Sequence, residues 1–327
     1  VIVVQNNGIA ETEAGSRPAL SEEKTVTTTG LETLEHVLDG LMRRYQQRVP
    51  DVGAIIAAMQ REGIITAPAD IENDHIAFRT MGVPQLGIRS LEKIFLHYGY
   101  ERRESYNFAA KKLNAFWYSP PRNDLPRIFI SELRVDDLSP QAAALIRSYT
   151  DEVVGDPVDA LDLNDAAQVD DFLHRGLWRL PSWADYQTLA AESEYAAWVI
   201  YNRYYLNHFT VTIHNLPDGY NTIADFNAFL ERNGFKLNDA GGKIKISPDG
   251  NLLQSSTVAE MIEAGFAGNE RHTISGSYVE FAERRPLPAF AHLPAAALSR
   301  EQRREGFEAG NADKIFESTY STQTDRR

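Results

Sequence analysis

The 327-residue chain contains no cysteine. That excludes disulfides, thiolate zinc sites and a cysteine nucleophile together. Any metal must therefore be bound through His, Asp or Glu. No apolar run approaches the roughly 18 residues that would span a bilayer, so no membrane role is expected. Positive charge is also scarce: 33 Lys and Arg against 46 Asp and Glu give a formal net charge of -13 and a pI near 5.1. So acidic a surface repels phosphate backbones and argues against nucleic acid as a partner. It does not bar a small anionic substrate, because one cation in a cleft overrules the global field. Residues 1–30 lack the basic-then-apolar layout of a secretory leader and are rich in Thr, Glu and Ser. They read as a mobile leader, and the compartment expected on that ground is the cytoplasm.

What is present belongs to a folded protein: 43% hydrophobic and 10% aromatic residues, in a length that allows one large core or two ordinary ones. Over 31–73, Leu34, Val37, Leu38, Leu41 and Met42 recur at helical spacing, as do Val52, Ile55, Ile56 and Met59 after Pro50. Two amphipathic helices are expected there. At Asp74 the period changes to two: Ile76, Phe78 and Thr80 alternate with His75, Ala77 and Arg79. A helix follows from Ser90 to Tyr98, then strand-like runs at 100–108, 113–119 and 127–133. Residues 138–200 are Ala-rich, acidic and helical, an apparent insertion.

The first order then recurs. A strand is expected over 207–213, a helix over 223–233, and strands over 235–237, 243–247 and 277–284. The order of elements thus indicates an internal duplication: α+β, with two βαβββ modules at 74–137 and 201–288 forming a curved sheet around a cleft. Beyond Pro288, residues 289–327 offer Ala-rich and charged sequence that reads as a short helix and tail. The Gly241-Gly242 pair reads as a hairpin turn, and no nucleophile elbow or dinucleotide fingerprint occurs.

A lone histidine on a strand is more often a packing or surface residue than a ligand. His75 and His208 stand out because each lies near the start of the first strand of its module. With Glu280 on the last strand they make a two-imidazole, one-carboxylate set that suits first-row divalent metals and leaves positions open. Arg79 shares the face of His75 and Ala77. It could clamp a substrate carboxylate or serve a structural ion pair. Glu283 faces away from Glu280, and one of the two is expected to be solvated. Glu132, aligned by eye with Glu280, is a possible further ligand, and His272 a possible lining residue. His214 lies roughly 20 Å along the strand from His208 at about 3.3 Å per residue, too far to share its ion. His36, His97, His174 and His292 read as structural.

The segments Asp74-His75-Ile76-Ala77-Phe78-Arg79-Thr80, Asn207-His208-Phe209-Thr210 and Tyr278-Val279-Glu280-Phe281-Ala282-Glu283-Arg284 resemble the 2-oxoadipate dioxygenase/decarboxylase family. That family is a branch of the vicinal-oxygen-chelate, or glyoxalase-like, superfamily. The resemblance runs from about Leu31 to Pro288. It implies Fe(II) on His75, His208 and Glu280, with Arg79 on the 2-oxo acid. It further implies conversion of 2-oxoadipate and O2 to 2-hydroxyglutarate and CO2 in lysine breakdown. The ligand set alone also admits Mn, Co, Ni or Zn, and with them a non-redox isomerase or lyase of glyoxalase type.

Overall fold

The computed structural model describes residues 28–325, so most of the expected leader at 1–30 lies outside the described residues. Two helices come first, α1 (Thr28–Arg48) and α2 (Pro50–Arg61). The first module follows as β1 (Asn73–Gly82), α3 (Ile88–His97), β2 (Glu101–Phe108), β3 (Leu113–Ser119) and β4 (Arg127–Arg134). Four helices occupy the stretch to the second module: α4 (Pro140–Thr150), α5 (Ala166–His174), α6 (Trp183–Glu192) and α7 (Glu194–Asn202). Each opens on a side chain that accepts from a backbone N–H of its first turn, namely Ser139, Asp165, Ser182 and Ser193.

The second module comprises β5 (His208–Thr212), α8 (Ile223–Arg232), β6 (Lys245–Ile246), β7 (Leu252–Ser256), the hairpin β8 (Met261–Gly265) and β9 (Arg271–Ser275), and β10 (Tyr278–Arg284). Eight strands form one sheet in the order β2-β3-β4-β1-β5-β10-β7-β6. The order is a mirrored pair of half-sheets, joined where β1 runs antiparallel to β5. Within each half the first and last strands are parallel neighbours, β1 with β4 and β5 with β10.

The second module departs from its expected strands. Residues 235–237 form no strand, and Leu237 makes only an isolated bridge to Thr257. The neighbour of β10 is instead β7, Leu252-Leu253-Gln254-Ser255-Ser256, buried on both faces. Burial on both sides removes the polar–apolar alternation that marks a strand in sequence.

The registers also correct the pairing of the carboxylates. His75 lies opposite Arg127, and His208 opposite Tyr278. Counting five residues on from each partner reaches Glu132 in one module and Glu283 in the other. Both do the same work: Glu132 Oε2 accepts from the backbone N–H of Ile88 at 3.0 Å, and Glu283 Oε2 from that of Ile223 at 2.8 Å. Each carboxylate thus sits at the N-terminus of its module's helix, where the dipole favours it. Gly87, just before α3, leaves room for this: a Cβ there would lie 2.7 Å from Glu132 Oε2. Glu283 is therefore buried, at 6% exposure, and not solvated.

The segment after β10 folds back over the sheet. Pro286 bridges to Arg303, and α9 (Ala309–Ile315) packs on β2, β6 and β7 before α10 (Ser321–Thr324). A buried charge cluster anchors it. Arg284 donates to both oxygens of Asp74, at 2.6 and 2.9 Å, and to the carbonyl of Gly306 at 2.7 Å. Arg127 donates to Asp74 Oδ2 at 3.2 Å and pairs with Glu305. Removing one partner from such a cluster leaves a charge buried without compensation. Arg284→Met should therefore cost about 3–5 kcal/mol in urea unfolding of the metal-free protein. Its combination with Asp74→Asn should cost less than the sum of the two single changes.

Candidate metal centre

The β1–β5 register sets Ala77 against His208 and His75 against Thr210. Directly opposed residues share a sheet face, so the two histidines are diagonal neighbours on one side. The β5–β10 register puts Glu280 beside Thr210 on that same side. The three ligand atoms all lie within 4.8 Å of one another, and the three residues are buried. His208 Nε2 is 3.1 Å from Glu280 Oε2, His75 Nε2 is 3.4 Å from His208 Nε2, and His75 Nε2 is 3.5 Å from Glu280 Oε1. Ligands about 2.1 Å from one ion lie roughly 3.0 to 3.4 Å apart at right to tetrahedral angles. The two imidazoles and the nearer carboxylate oxygen, Oε2, thus stand close to the spacing a divalent metal needs, with small adjustments at His75.

The residue preceding each histidine fixes its ring. Asp74 Oδ1 lies 2.8 Å from His75 Nδ1, and Asn207 Oδ1 lies 3.0 Å from His208 Nδ1. An oxygen acceptor at Nδ1 holds the proton there and turns the Nε2 lone pair to the centre, as metal-binding imidazoles require. Burial opposes charge on all of these groups, yet the cluster overrides it at three. Burial would raise Glu280, but His75 and His208 bring it down to about 2. Burial would lower His75, but Glu280 and Asp74 lift it above its ordinary value. Burial would raise Asp74, but Arg284 and Arg127 hold it well below the usual carboxylate range. At His208 burial wins and the pKa falls.

Arg79 lies on the same face, opposite Ser131. It is buried at 1% exposure and forms no ion pair among the described residues. Nη1 donates to Thr319 Oγ1 at 2.8 Å and Nη2 to the Phe316 carbonyl at 3.0 Å, while Nε has no partner. The rings of Tyr195 and Trp198, each 5.2 Å from the guanidinium carbon, flank it. A buried cation without a counter-ion, beside a metal-ligand cluster, makes the cavity a place for an anion.

The cavity wall includes Phe129, Phe307, Ile315 and Phe316, the last three from the segment read in the sequence as helix and tail. Phe307 meets the His75 ring edge-on at 4.7 Å. No periodicity in 289–327 signals this role. Asp74 and Asn207 lie within the family-like segments, but nothing in their spacing assigns them the histidine rings. Gln254, whose Nε2 donates to Glu280 Oε1 at 2.6 Å, sits on the strand the sequence hid.

Other expected candidates lie elsewhere. Glu132 caps α3, and its place by register is three residues past the counterpart of Glu280, which is Phe129. His272 stacks on Trp183 at 4.0 Å in the β8–β9 hairpin, away from the cavity wall. His214 accepts from the Arg284 backbone N–H at 3.1 Å.

A sheet of two mirrored βαβββ halves, with a buried His-His-Glu cluster able to hold a metal ion on their shared face, defines an enzyme of glyoxalase-like fold. A glyoxalase superfamily protein from Ralstonia eutropha shares that fold, with a TM-score of 0.68 at 19% identity over 89% of this chain and 92% of its own. Residues 37–297 match the family described as 2-oxoadipate dioxygenase/decarboxylase, and the chain belongs to that family. A rice relative of that description is 47% identical over 264 residues, 78% of this chain and 71% of the relative. A rice hydroxyglutarate synthase solved in complex with 2-oxoadipate superposes with a TM-score of 0.83 at 41% identity, covering 95% of this chain and 99% of that one. The rice relative is chloroplastic/amyloplastic. That overturns the cytoplasm as the expected compartment, which rested only on a leader pattern not being recognised.

Burial, with Arg303 beside it, pushes His214 down to about 3. A histidine depressed on folding stabilises fully above its unfolded value near 6.5, and the contribution is lost as pH falls toward the folded value. Acid titration of the metal-free protein, followed by circular dichroism, should therefore show stability falling below about pH 6.5. His214→Gln should flatten that slope.

Proposed function

We propose that this chain is an Fe(II)-dependent dioxygenase/decarboxylase that converts 2-oxoadipate and O2 to 2-hydroxyglutarate and CO2, a step of lysine breakdown. Family membership supports the reaction class. The observation that carries the substrate class is Arg79, a buried cation on the same face as the ligand cluster that has no counter-ion among the described residues.

His75, His208 and Glu280 would hold the iron, which when bound supplies Lewis acidity and redox capacity. The remaining work belongs to the chain. Asp74 and Asn207 keep the Nδ1 protons in place, so both Nε2 lone pairs face inward. Arg79 spends two of its N–H groups on Thr319 and Phe316 and keeps others, Nε among them, for a substrate carboxylate. Its aromatic flank and its tether to Thr319 fix the guanidinium plane before substrate arrives, which lowers the ordering cost of binding. Phe129, Phe307, Ile315 and Phe316 exclude water from the reacting carbons.

Protein loaded anaerobically with Fe(II) should consume O2 and release CO2 in equal amounts when given 2-oxoadipate. If a panel of 2-oxo acids produced no oxygen uptake, the assignment would fall. His208→Ala should lose the metal, read by elemental analysis. Arg79→Met should keep it but weaken 2-oxoadipate binding on the order of a hundredfold, the loss of one or two charge-assisted hydrogen bonds.

A further inference from the structure

Glu280 has two oxygens, and their surroundings differ. Oε2 lies 3.1 Å from His208 Nε2 and has no hydrogen-bond donor from β7, whereas Oε1, 3.5 Å from His75 Nε2, accepts from Gln254 Nε2 at 2.6 Å. The β10–β7 register makes this contact structural: Gln254 lies opposite Ala282, one diagonal step from Glu280 on the same face. Both side chains are almost wholly buried, so no water competes for that oxygen.

Which end of the Gln254 amide faces Glu280 is settled by a third residue. Asn311, on α9 and 2% exposed, turns Nδ2 toward the backbone carbonyls of Leu252 at 3.3 Å and Lys245 at 3.4 Å. A backbone carbonyl can only accept, so the donor end of Asn311 must face them. The same Nδ2 lies 3.0 Å from Gln254 Oε1. The acceptor end of Gln254 is thus committed to Asn311, and its donor end is left for Glu280. Reversing the amide would set an oxygen against the carboxylate and a donor against a donor.

We propose that Gln254, oriented by Asn311, is a positioning residue that holds Oε1 of Glu280 out of the metal's ligand set, so that this carboxylate contributes a single oxygen. The inference rests on the metal reading above and adds what it leaves open, the number of ligand atoms. A six-coordinate ion held by two imidazoles and one oxygen keeps three positions, room for a 2-oxo acid chelating through two oxygens and for dioxygen. Held by both carboxylate oxygens it would keep only two. The relay therefore protects the capacity to bind both reactants together.

The test is to load the full chain with Mn(II), without substrate, and count exchangeable water ligands from EPR line broadening in 17O-enriched water. Wild type should show three, and Gln254→Leu and Asn311→Leu should each show two. The second variant leaves Gln254 itself in place and removes only its orientation. With iron, both variants should lose on the order of tenfold or more in kcat/KM for oxygen. Their anaerobic Kd for 2-oxoadipate should move far less, a split that a general loosening of the site would not produce. Wild-type protein that binds manganese with two waters overturns this inference alone, as do variants that keep three. Wild-type protein that takes up no manganese overturns the metal reading and this inference with it.

Discussion

One buried carboxylate, Asp74, ties together parts of the chain that are far apart in sequence. It receives Arg284 from the last strand and Arg127 from the fourth, and it holds Nδ1 of His75 on the first. Through Arg284 it reaches the Gly306 carbonyl, and through Arg127 it reaches Glu305. Two guanidiniums and an imidazole around one carboxylate keep it ionised despite complete burial. The histidine can then face the centre in a single tautomer. The course of the later chain and the aim of one imidazole meet in the same ionic contact.

The duplication shows what two modules keep in common and what only one needs. His75 matches His208, and Glu132 matches Glu283 as the cap of the module's helix. The place of Glu280 is taken in the first module by Phe129, which also faces the cavity. With a carboxylate from one half only, the halves build one centre on their shared seam. The aromatic in the other half forms part of its dry wall.

Much of this was legible in the sequence. The two modules follow from the order of elements, and the strand faces of His75 and His208 from period-two spacing, because a pleated strand permits few alternatives. What escaped has physical reasons. Leu252–Ser256 is buried on both faces and so shows no alternation, which hid Gln254 with it. Element order lacks register and so sets Glu132 against Glu280, whereas the ladder pairings match it with Glu283. Phe307 follows a run of short 3-10 turns, and Ile315 and Phe316 stand where the two-turn α9 passes into another, elements too short to show a periodicity. The plastid setting of the rice relative has no counterpart in the residues that build the core.

The way the later chain closes this cavity has a consequence for how the protein is made. His75 leaves the ribosome well before Arg284, Phe307, Asn311, Phe316 and Thr319, which steady or enclose the ligands and Arg79. A nascent chain holding only the first module carries one imidazole, a bare Asp74 and an Arg79 without its tether. It has no means of retaining an ion. A metal ion held by these ligands would therefore be enclosed only once translation had passed Thr319, and it would be one that the folded protein meets.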